Sequence, residues 1–170
     1  MVTAEKRYKE LSMDRQCFLN RAWDAAELTI PFILPRNEVS NTDLPTPFQS
    51  IGARGVNNLA AKLLLTLFPP NSPFFKFQID DFTLEQLQQE RAPVEEGLGS
   101  MERAVMDGIE ANSMRVPLYE TLRHLIITGN ALVFVDKKNT LRVFHLDQFV
   151  IKRDPQGELL EAVVEESISP

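Results

Sequence analysis

The first thirty residues of the chain carry apolar side chains at intervals of mostly three and four residues. Because an α-helix repeats every 3.6 residues, this spacing places the apolar side chains on one side of a helix. Thr3 offers a hydroxyl that can cap the first turn, and Pro31 disfavours the helical state in the residue before it. The apolar positions are Tyr8, Leu11, Phe18, Ala22, Ala26 and Ile30. We therefore predict one long helix over residues 3–30.

A proline-rich loop separates this helix from a second one. Residues 31–47 hold four prolines among polar residues, and long irregular connections of this kind are usually functional or held against another surface. Thr46-Pro47-Phe48-Gln49 then has the chemistry of a capping box with proline at the first helical position. We predict a second helix that begins there and is stopped by Phe68-Pro69-Pro70. Its predicted apolar side consists of Ile51, Leu59, Leu63, Leu64 and Leu67.

Further helical patterns occupy the chain up to residue 130. The capping-box pattern Thr83-Leu84-Glu85-Gln86 predicts a short helix that breaks near Pro93, and a longer amphipathic helix follows it. Ser113 can cap the next helix, over about Val116–Thr128, and Gly129 fits the left-handed position after a helix. The inner faces of these last two helices are predicted as Val94, Leu98, Met101, Val105 and Ile109 in the first, and as Leu118, Leu122, Leu125 and Ile126 in the second.

The pattern changes after residue 130 to short apolar runs separated by turns. Asp154-Pro155-Gln156-Gly157 has the residue preferences of a type I turn, and Lys137-Lys138-Asn139 makes another turn. The apolar runs beside these turns are 131–135, 141–144, 149–152 and 159–165. We predict an antiparallel β-meander over residues 131–170 after a helical domain over residues 1–130 with about four to five helices, which is the α+β class. Because an uncovered edge strand is a liability, we expect the chain to continue beyond Pro170.

Composition and charge narrow the class of protein. The chain has 170 residues, of which 44% are apolar and 25% are charged, as in ordinary globular domains. Its net charge of −6 and its lack of clustered Lys and Arg argue against a protein that wraps nucleic acid. The single cysteine rules out an intrachain disulfide, and no stretch has the length and apolarity of a signal peptide or a membrane span. We therefore expect a soluble protein of a reducing, intracellular compartment.

The charges alternate in blocks along the chain. Residues 80–112 hold nine acidic and two basic residues, residues 113–153 hold three acidic and seven basic ones, and residues 154–170 hold five acidic residues and no basic one. Two interpretations of this alternation stay open, namely solvated faces of helices and strands, or opposing faces of neighbouring subunits.

The sequence carries no complete catalytic or cofactor motif. Gly52-Ala53-Arg54-Gly55 is followed by Val56-Asn57-Asn58, whereas a phosphate-binding P-loop has Lys-Ser or Lys-Thr after its last glycine. The small residues of this run instead let a helix pack closely against a neighbour. Cys17, His124 and His145 lie too far apart in the sequence for a zinc signature, and we expect Cys17 to be a small buried hydrophobe and His124 a partly buried structural residue. We predict no catalytic residue, no cofactor and no metal.

Two asparagines in the middle of the second helix are its most unusual feature, because asparagine lowers helix propensity and offers both a hydrogen-bond donor and an acceptor. The polar residues around them lie at adjacent or i, i+4 positions. This face either contacts a partner or forms a polar bridge to a neighbouring helix of the same fold. The candidate packing or subunit-contact positions are Arg54, Asn57, Asn58 and Lys62 on this helix, and Gly129 and Asn130.

Several long runs of the sequence point to the same protein family. The run from Thr46 to Leu63 is TPFQSIGARGVNNLAAKL, and the match continues through Leu67-Phe68-Pro69. It resumes at residues 111–116, ANSMRV, and at residues 127–132, ITGNAL, and the stretch from Tyr8 to Pro31 matches as well. These runs closely resemble the portal, or head-to-tail connector, proteins of short-tailed bacteriophages.

This resemblance implies a structural role and an α+β fold similar to part of the portal wing, the outer region of the ring. Portal proteins form a ring, usually of twelve subunits, at one vertex of the capsid, through which double-stranded DNA is packaged and later ejected. The implied partners are other copies of the chain, capsid and scaffolding proteins, a separate terminase ATPase, tail adaptor proteins and the passing DNA. No membrane, cofactor or enzymatic activity is implied, and the implied location is the virion after assembly in the bacterial cytoplasm. Because portals have several hundred residues, the chain resembles their leading portion.

Two other functions are compatible with the residues alone. One is a free-standing α+β adaptor module that docks on another protein, although its edge strand at the C-terminal end would then need a cover. The other is a small nuclease that uses acidic residues of the 80–110 segment with a divalent metal. The resemblance favours the portal over both.

Overall fold

Helices come first in the chain and strands follow. The computed structural model describes residues 3–36, 44–70, 72–79 and 91–166. Its helices are α1 (Ala4–Leu28), α2 (Ile51–Leu67), α3 (Arg91–Ala111) and α4 (Arg115–Thr128), with 3₁₀ turns at Pro31–Ile33 and Leu146–Gln148. Its strands are β1 (Leu132–Val135), β2 (Leu141–Phe144), β3 (Phe149–Arg153) and β4 (Leu159–Val164). This order confirms the predicted α+β class, with a helical half before an antiparallel β half. None of these helices is both long and apolar enough to cross a membrane.

The predicted first helix is confirmed as α1, and most of its predicted inner side is buried, with Phe18 as the exception. Cys17 and Phe18 are exposed, so the expectations of a buried Cys17 and of Phe18 in the inner stripe are wrong. Each residue advances about 100° around a helix, so a position one or two residues before the buried Leu19 already turns away from the core. The buried side chains of α1 are Leu11, Leu19, Ala22 and Ala26.

The second helix, α2, begins later than predicted. Ser50 precedes its first residue and makes no side-chain capping hydrogen bond, so the predicted start at the Thr46–Gln49 capping box is wrong. The side chain of Phe48 is 99% exposed and finds no packing among the described residues. This agrees with the rule that tertiary packing stabilises most protein helices more than local propensity does.

Small side chains, rather than the predicted leucines, form the buried side of α2. Val56 and Ala60 are buried, and α2 packs along α4. A Cβ atom built on Gly52 would lie only 2.8 Å from the carbonyl oxygen of Leu28 in α1, which confirms the close approach predicted for this glycine. Close approach turns the larger side chains outward. The predicted inner positions that are exposed instead are Ile51, Leu59 and Leu67.

The start of α3 lies close to the predicted break near Pro93. Pro93 is two residues after the first residue of α3, a position where proline is tolerated. The residues just before Arg91 lie outside the described ranges, so the break stays a prediction. The short helix predicted to open at Thr83 lies outside the described residues.

The end of α4 follows the prediction and its start does not. Met114 is the N-cap, whereas the predicted cap, Ser113, has a positive φ of 51°. Gly129 is confirmed in the left-handed conformation, with φ 74°, and its N–H donates to the carbonyl of Leu125. The side chain of Leu125 itself is exposed, which corrects its predicted inner position. The buried positions of α4 are Leu122, His124 and Ile127.

The strands form two hairpins rather than one continuous meander. β1 pairs with β2 and β3 pairs with β4, both antiparallel as predicted, and in the described part of the chain no pairing joins β2 to β3. The 3₁₀ turn at Leu146–Gln148 redirects the chain between the hairpins. Both predicted turns form: Asn139 and Gly157 have positive φ, and their N–H groups donate to the carbonyls of Asp136 and Asp154.

One hydrophobic cluster joins the helical and β halves. It draws side chains from α1, α2, α4, both 3₁₀ turns and the strands β2 and β3, and Trp23 packs against it. Its buried members are Leu19, Ala22, Ala26, Ile30, Ile33, Leu34, Val56, Ile127, Phe144, Leu146 and Phe149.

A hydrogen-bonded arginine fastens α1 to the β half. The Arg15 guanidinium donates to the backbone carbonyls of Leu146, Asp147 and Phe149, at 2.8 Å for Asp147. It also donates at 3.1 Å to the hydroxyl of Tyr8, which donates at 2.6 Å to the same Asp147 carbonyl. These bonds hold the 3₁₀ turn and the start of β3 against α1.

Candidate functional site

The polar positions predicted on α2 lie at the protein surface. Arg54, Asn57, Asn58 and Lys62 are all exposed. The hydroxyl of Tyr119 in α4 lies 3.4 Å from both the backbone oxygen and Oδ1 of Asn57. The side chains of Arg54, Asn58 and Lys62 make no hydrogen bond or ion pair with any residue in the described ranges. Asn57 therefore has a polar link to a neighbouring helix, and the other three side chains face outward.

Three of these polar residues share one side of α2 with two apolar ones. At about 100° per residue, Ile51, Arg54, Asn58, Lys62 and Leu65 fall within about 80° of one another around the helix axis. Ile51 is 67% exposed and Leu65 is 60% exposed. We call this set the α2 outer face. It carries two positive charges, and α2 contains no acidic residue to offset them.

The α2 outer face has the character of a protein contact. Exposed apolar side chains beside polar ones are typical of protein–protein interfaces, in which arginine is also enriched. The apolar ends and the basic middle are therefore suited to an acidic, partly apolar surface.

A second uncovered surface is α3, none of whose described side chains is buried. Of its predicted inner face, Val94, Leu98 and Ile109 are half-buried. Met101 and Val105 are exposed, with Met101 at 61%, so the prediction is wrong for these two. Beside the extended segment 72–79, the N–H of Phe77 donates to Glu102 at 2.7 Å, and Glu110 pairs with Arg115 at 2.7 Å. The acidic residues of α3 are Glu95, Glu96, Glu102, Asp107 and Glu110.

The remaining predicted pair, Gly129 and Asn130, lies away from α2. Gly129 ends α4, and the backbone carbonyl of Asn130 accepts a 2.6 Å hydrogen bond from the hydroxyl of Thr128. Asn130 lines a groove of about 550 Å³ between α1 and β3, which has Phe18 and Ile151 in its walls and no residue of α2. The two groups of candidate positions therefore belong to different surfaces.

Packing of α4 against the β half creates a histidine pair that the sequence did not predict. The rings of His124 and His145 meet edge to face with their centroids 4.8 Å apart. His145 Nδ1 donates at 2.7 Å to the carbonyl of Ile33. Nε2 of His124 lies 3.9 Å from Oε1 of Glu120, its ionic partner among the described residues. The spacing of Glu120 and His124, one helical turn apart, is the one signal in the sequence that points to this cluster.

Burial decides the charge of His124. Its side chain is only 2% exposed, and Nδ1 has no hydrogen-bond partner in the described structure. Burial, aided by the neighbouring His145 and Arg123, lowers the pKa of His124 from 6.5 to about 4. His124 is therefore neutral at pH 7, and its predicted structural role agrees with this environment. It is more deeply buried than expected.

The sequence is similar to a family of phage proteins along nearly its whole length. A family model described as bacteriophage head to tail connecting protein matches residues 2–169. The portal protein of Enterobacteria phage T3 is 39% identical over 174 residues, with 98% of this chain and 32% of that protein covered. The portal protein of Escherichia phage T7 is 37% identical over 175 residues, with 98% and 32% covered.

A more distant relative gives the same picture. The portal protein of Pseudomonas phage phiKMV is 30% identical over 152 residues, with 86% of this chain and 30% of that protein covered. The chain thus spans about a third of the length of the curated relatives it matches. Because the family match runs from residue 2 to residue 169, the chain belongs to the family of bacteriophage head-to-tail connecting proteins.

Proposed function

We propose that these residues form part of the wing of a portal subunit, whose ring stands at one vertex of a phage capsid. Double-stranded DNA is packaged and ejected through this ring, and the tail attaches to it. The observation that carries the proposal is the match to portal proteins over 98% of the chain. The role is structural rather than enzymatic, because the relatives are connecting proteins and motor activity belongs to a separate terminase.

The proposed partners follow from that role. Other copies of the subunit, twelve in the family, surround the DNA channel, and capsid, scaffolding, terminase and tail adaptor proteins dock on the ring. The proposed location is the virion, after assembly in the bacterial cytoplasm. We propose further that the helical residues 1–130 and the β residues 131–170 act together, which the shared hydrophobic cluster supports.

We also propose that the α2 outer face of one subunit packs against α3 of the next. A ring requires a heterologous contact, in which two different surfaces of the same chain meet around the circle. The α2 outer face is basic with apolar ends, and α3 is acidic and exposes the apolar side chains of Met101 and Val105. Their charges are opposite, and each would cover apolar surface on the other. The positions proposed for contact are Arg54, Asn58 and Lys62, with Asn57 at the margin of the face.

Charge reversal in the complete protein tests this contact. We expect the double variant Arg54→Glu, Lys62→Glu to fold but to assemble poorly, because it would place like charges against α3. Arg21→Glu, at an exposed arginine of α1, is the matched control and should assemble normally. Ring formation is measured by size-exclusion chromatography with light scattering.

A compensating variant makes the test specific to α3. Glu96 and Asp107 lie eleven residues apart, so they share one side of this helix. Reversing both to lysine in the Arg54→Glu, Lys62→Glu background should restore assembly. Normal rings from the uncompensated double variant would refute the contact, whereas a wild-type protein that stays monomeric would refute the portal function itself and favour the adaptor module.

A further inference from the structure

Two histidines and a glutamate meet where α4 packs against the β half. One ring nitrogen of His124, one of His145 and a carboxylate oxygen of Glu120 all lie within 4.8 Å of one another. We infer that these three side chains form a Zn²⁺ site that fastens α4 to the residue following β2.

The distances are close to those of a bound metal. Zinc bonds to imidazole nitrogen and carboxylate oxygen are about 2.0–2.2 Å long, so neighbouring ligands of a tetrahedral site lie about 3.3 Å apart. Nε2 of His124 is 3.9 Å from Oε1 of Glu120. The Glu120 side chain is half exposed and can move at little cost, so it can close the remaining gap.

The histidines are held as zinc ligands require. A carbonyl oxygen only accepts hydrogen bonds, so the 2.7 Å bond to Ile33 places the hydrogen of His145 on Nδ1 and leaves a lone pair on Nε2. Hydrogen bonding of the second ring nitrogen to a carbonyl is the usual way in which proteins orient a metal-binding histidine. His124 presents a buried ring whose Nε2 faces Glu120 at 3.9 Å, too far for a hydrogen bond, so a metal between the two would give this nitrogen a strong polar contact.

The donor set selects the metal. Two imidazoles and one carboxylate form a known zinc combination, whereas Mg²⁺ and Ca²⁺ prefer sites made of oxygen atoms alone. The fourth position is open to a water molecule. His124 and Glu120 belong to α4, and His145 lies between β2 and the following 3₁₀ turn, so a bound ion would cross-link the two halves of the fold.

Zinc titration of the purified, untagged chain tests the inference. Cys17 is a free, exposed cysteine, and thiolates are zinc ligands, so the titration uses the Cys17→Ser variant as its reference protein. We expect one Zn²⁺ per chain by isothermal titration calorimetry, a higher thermal unfolding temperature with Zn²⁺, and no shift with Mg²⁺. No zinc binding by the reference protein would overturn the inference.

Variants of the exposed and half-buried ligands localise the ion without disturbing buried His124. His145→Asn keeps an amide donor for the Ile33 carbonyl but removes the second ring nitrogen, and it should abolish the thermal shift. Glu120→Gln should weaken zinc binding by at least about tenfold. Glu96→Gln, on α3, is the matched control and should bind like the reference protein. Unchanged zinc affinity in His145→Asn or in Glu120→Gln would place the ion elsewhere and overturn the assignment.

Discussion

Arg15 gives the sharpest test of how α1 holds the β half. Its guanidinium donates to three backbone carbonyls, those of Leu146, Asp147 and Phe149, and to the hydroxyl of Tyr8. A hydrogen bond with a charged donor contributes about 1.5–3 kcal/mol, and we use the lower value because the group is only partly buried. Nε of Arg15 is buried without a partner in the described structure, and the cost of removing this donor from water offsets about 1–2 kcal/mol of the stabilisation by the other bonds.

Counting only the three carbonyl bonds and subtracting this offset, the net loss expected for Arg15→Ala is about 3 kcal/mol of unfolding free energy. This is a large part of the 5–15 kcal/mol by which typical domains are stable, so the variant should still fold but unfold at a lower urea concentration. Urea titration followed by Trp23 fluorescence measures the change, because this single tryptophan packs against the shared cluster. The urea midpoint should fall while the slope of the transition stays the same.

Two control variants separate the bonds from the charge. Arg15→Lys keeps the charge but loses the planar set of donors that reaches several carbonyls, so it should recover only part of the stability. Arg21→Ala removes an exposed arginine from the same helix and should change the stability by less than about 0.5 kcal/mol. If Arg15→Ala were as stable as Arg21→Ala, the reasoning about this hydrogen-bonded group would be refuted.

Three further predictions concern stability and use the same urea titration. Gly52→Ala should lower the free energy of unfolding by about 1–3 kcal/mol, because the new Cβ would press on the Leu28 carbonyl. Gly55→Ala should be neutral or stabilising, because a Cβ there meets nothing within 4 Å. Equal effects of the two substitutions would contradict the close approach of α2 to α1. Gly129→Ala should lower the free energy of unfolding by about 1–2 kcal/mol, because alanine is strained at this positive φ. Gly129→Asn should lower it by less, because asparagine adopts the left-handed conformation more readily. With EDTA present, stability should fall by about 2 kcal/mol between pH 7.5 and pH 5.0, since the unfolded chain protonates His124 near its ordinary pKa of 6.5 while the folded pKa is about 4. His124→Phe should lack this part of the pH dependence, and an unchanged pH profile would contradict the burial argument.

Local patterns predicted much of the fold. The hydrophobic period defined α1, and Gly129 located the end of α4. The residue preferences of the turns located both hairpins, because Asn139 and Gly157 occupy positions with a positive φ. The connection between the hairpins depends on how the 3₁₀ turn at Leu146–Gln148 packs on α1, which no local pattern encodes. The meander was therefore predicted as one sheet and is two.

Helix faces were predicted less well where small residues pack. On α2 the backbone approaches α1 at Gly52 and packs along α4, so Val56 and Ala60 are buried while the leucines turn outward. A prediction based on the large apolar residues therefore places the wrong side of α2 against the core. The exposed Ile51 and Leu65 are the apolar surface that the proposed subunit contact would cover.

The histidine cluster could not be predicted from spacing alone. His124 and His145 are separated by a helix end and a hairpin, and they meet only because α4 packs on β2 beside the first 3₁₀ turn. Their contact is a product of tertiary packing, as is the depth at which His124 is buried. Only Glu120, one turn before His124, belongs to the cluster by local sequence.

Assembly is the property that separates a portal subunit from an adaptor module. Electron-microscopic imaging of the purified full-length protein measures it without any substitution. We expect closed rings with a central channel and a single subunit number. Particles that remain monomeric, or that associate without closing into a ring, would refute the proposed portal role.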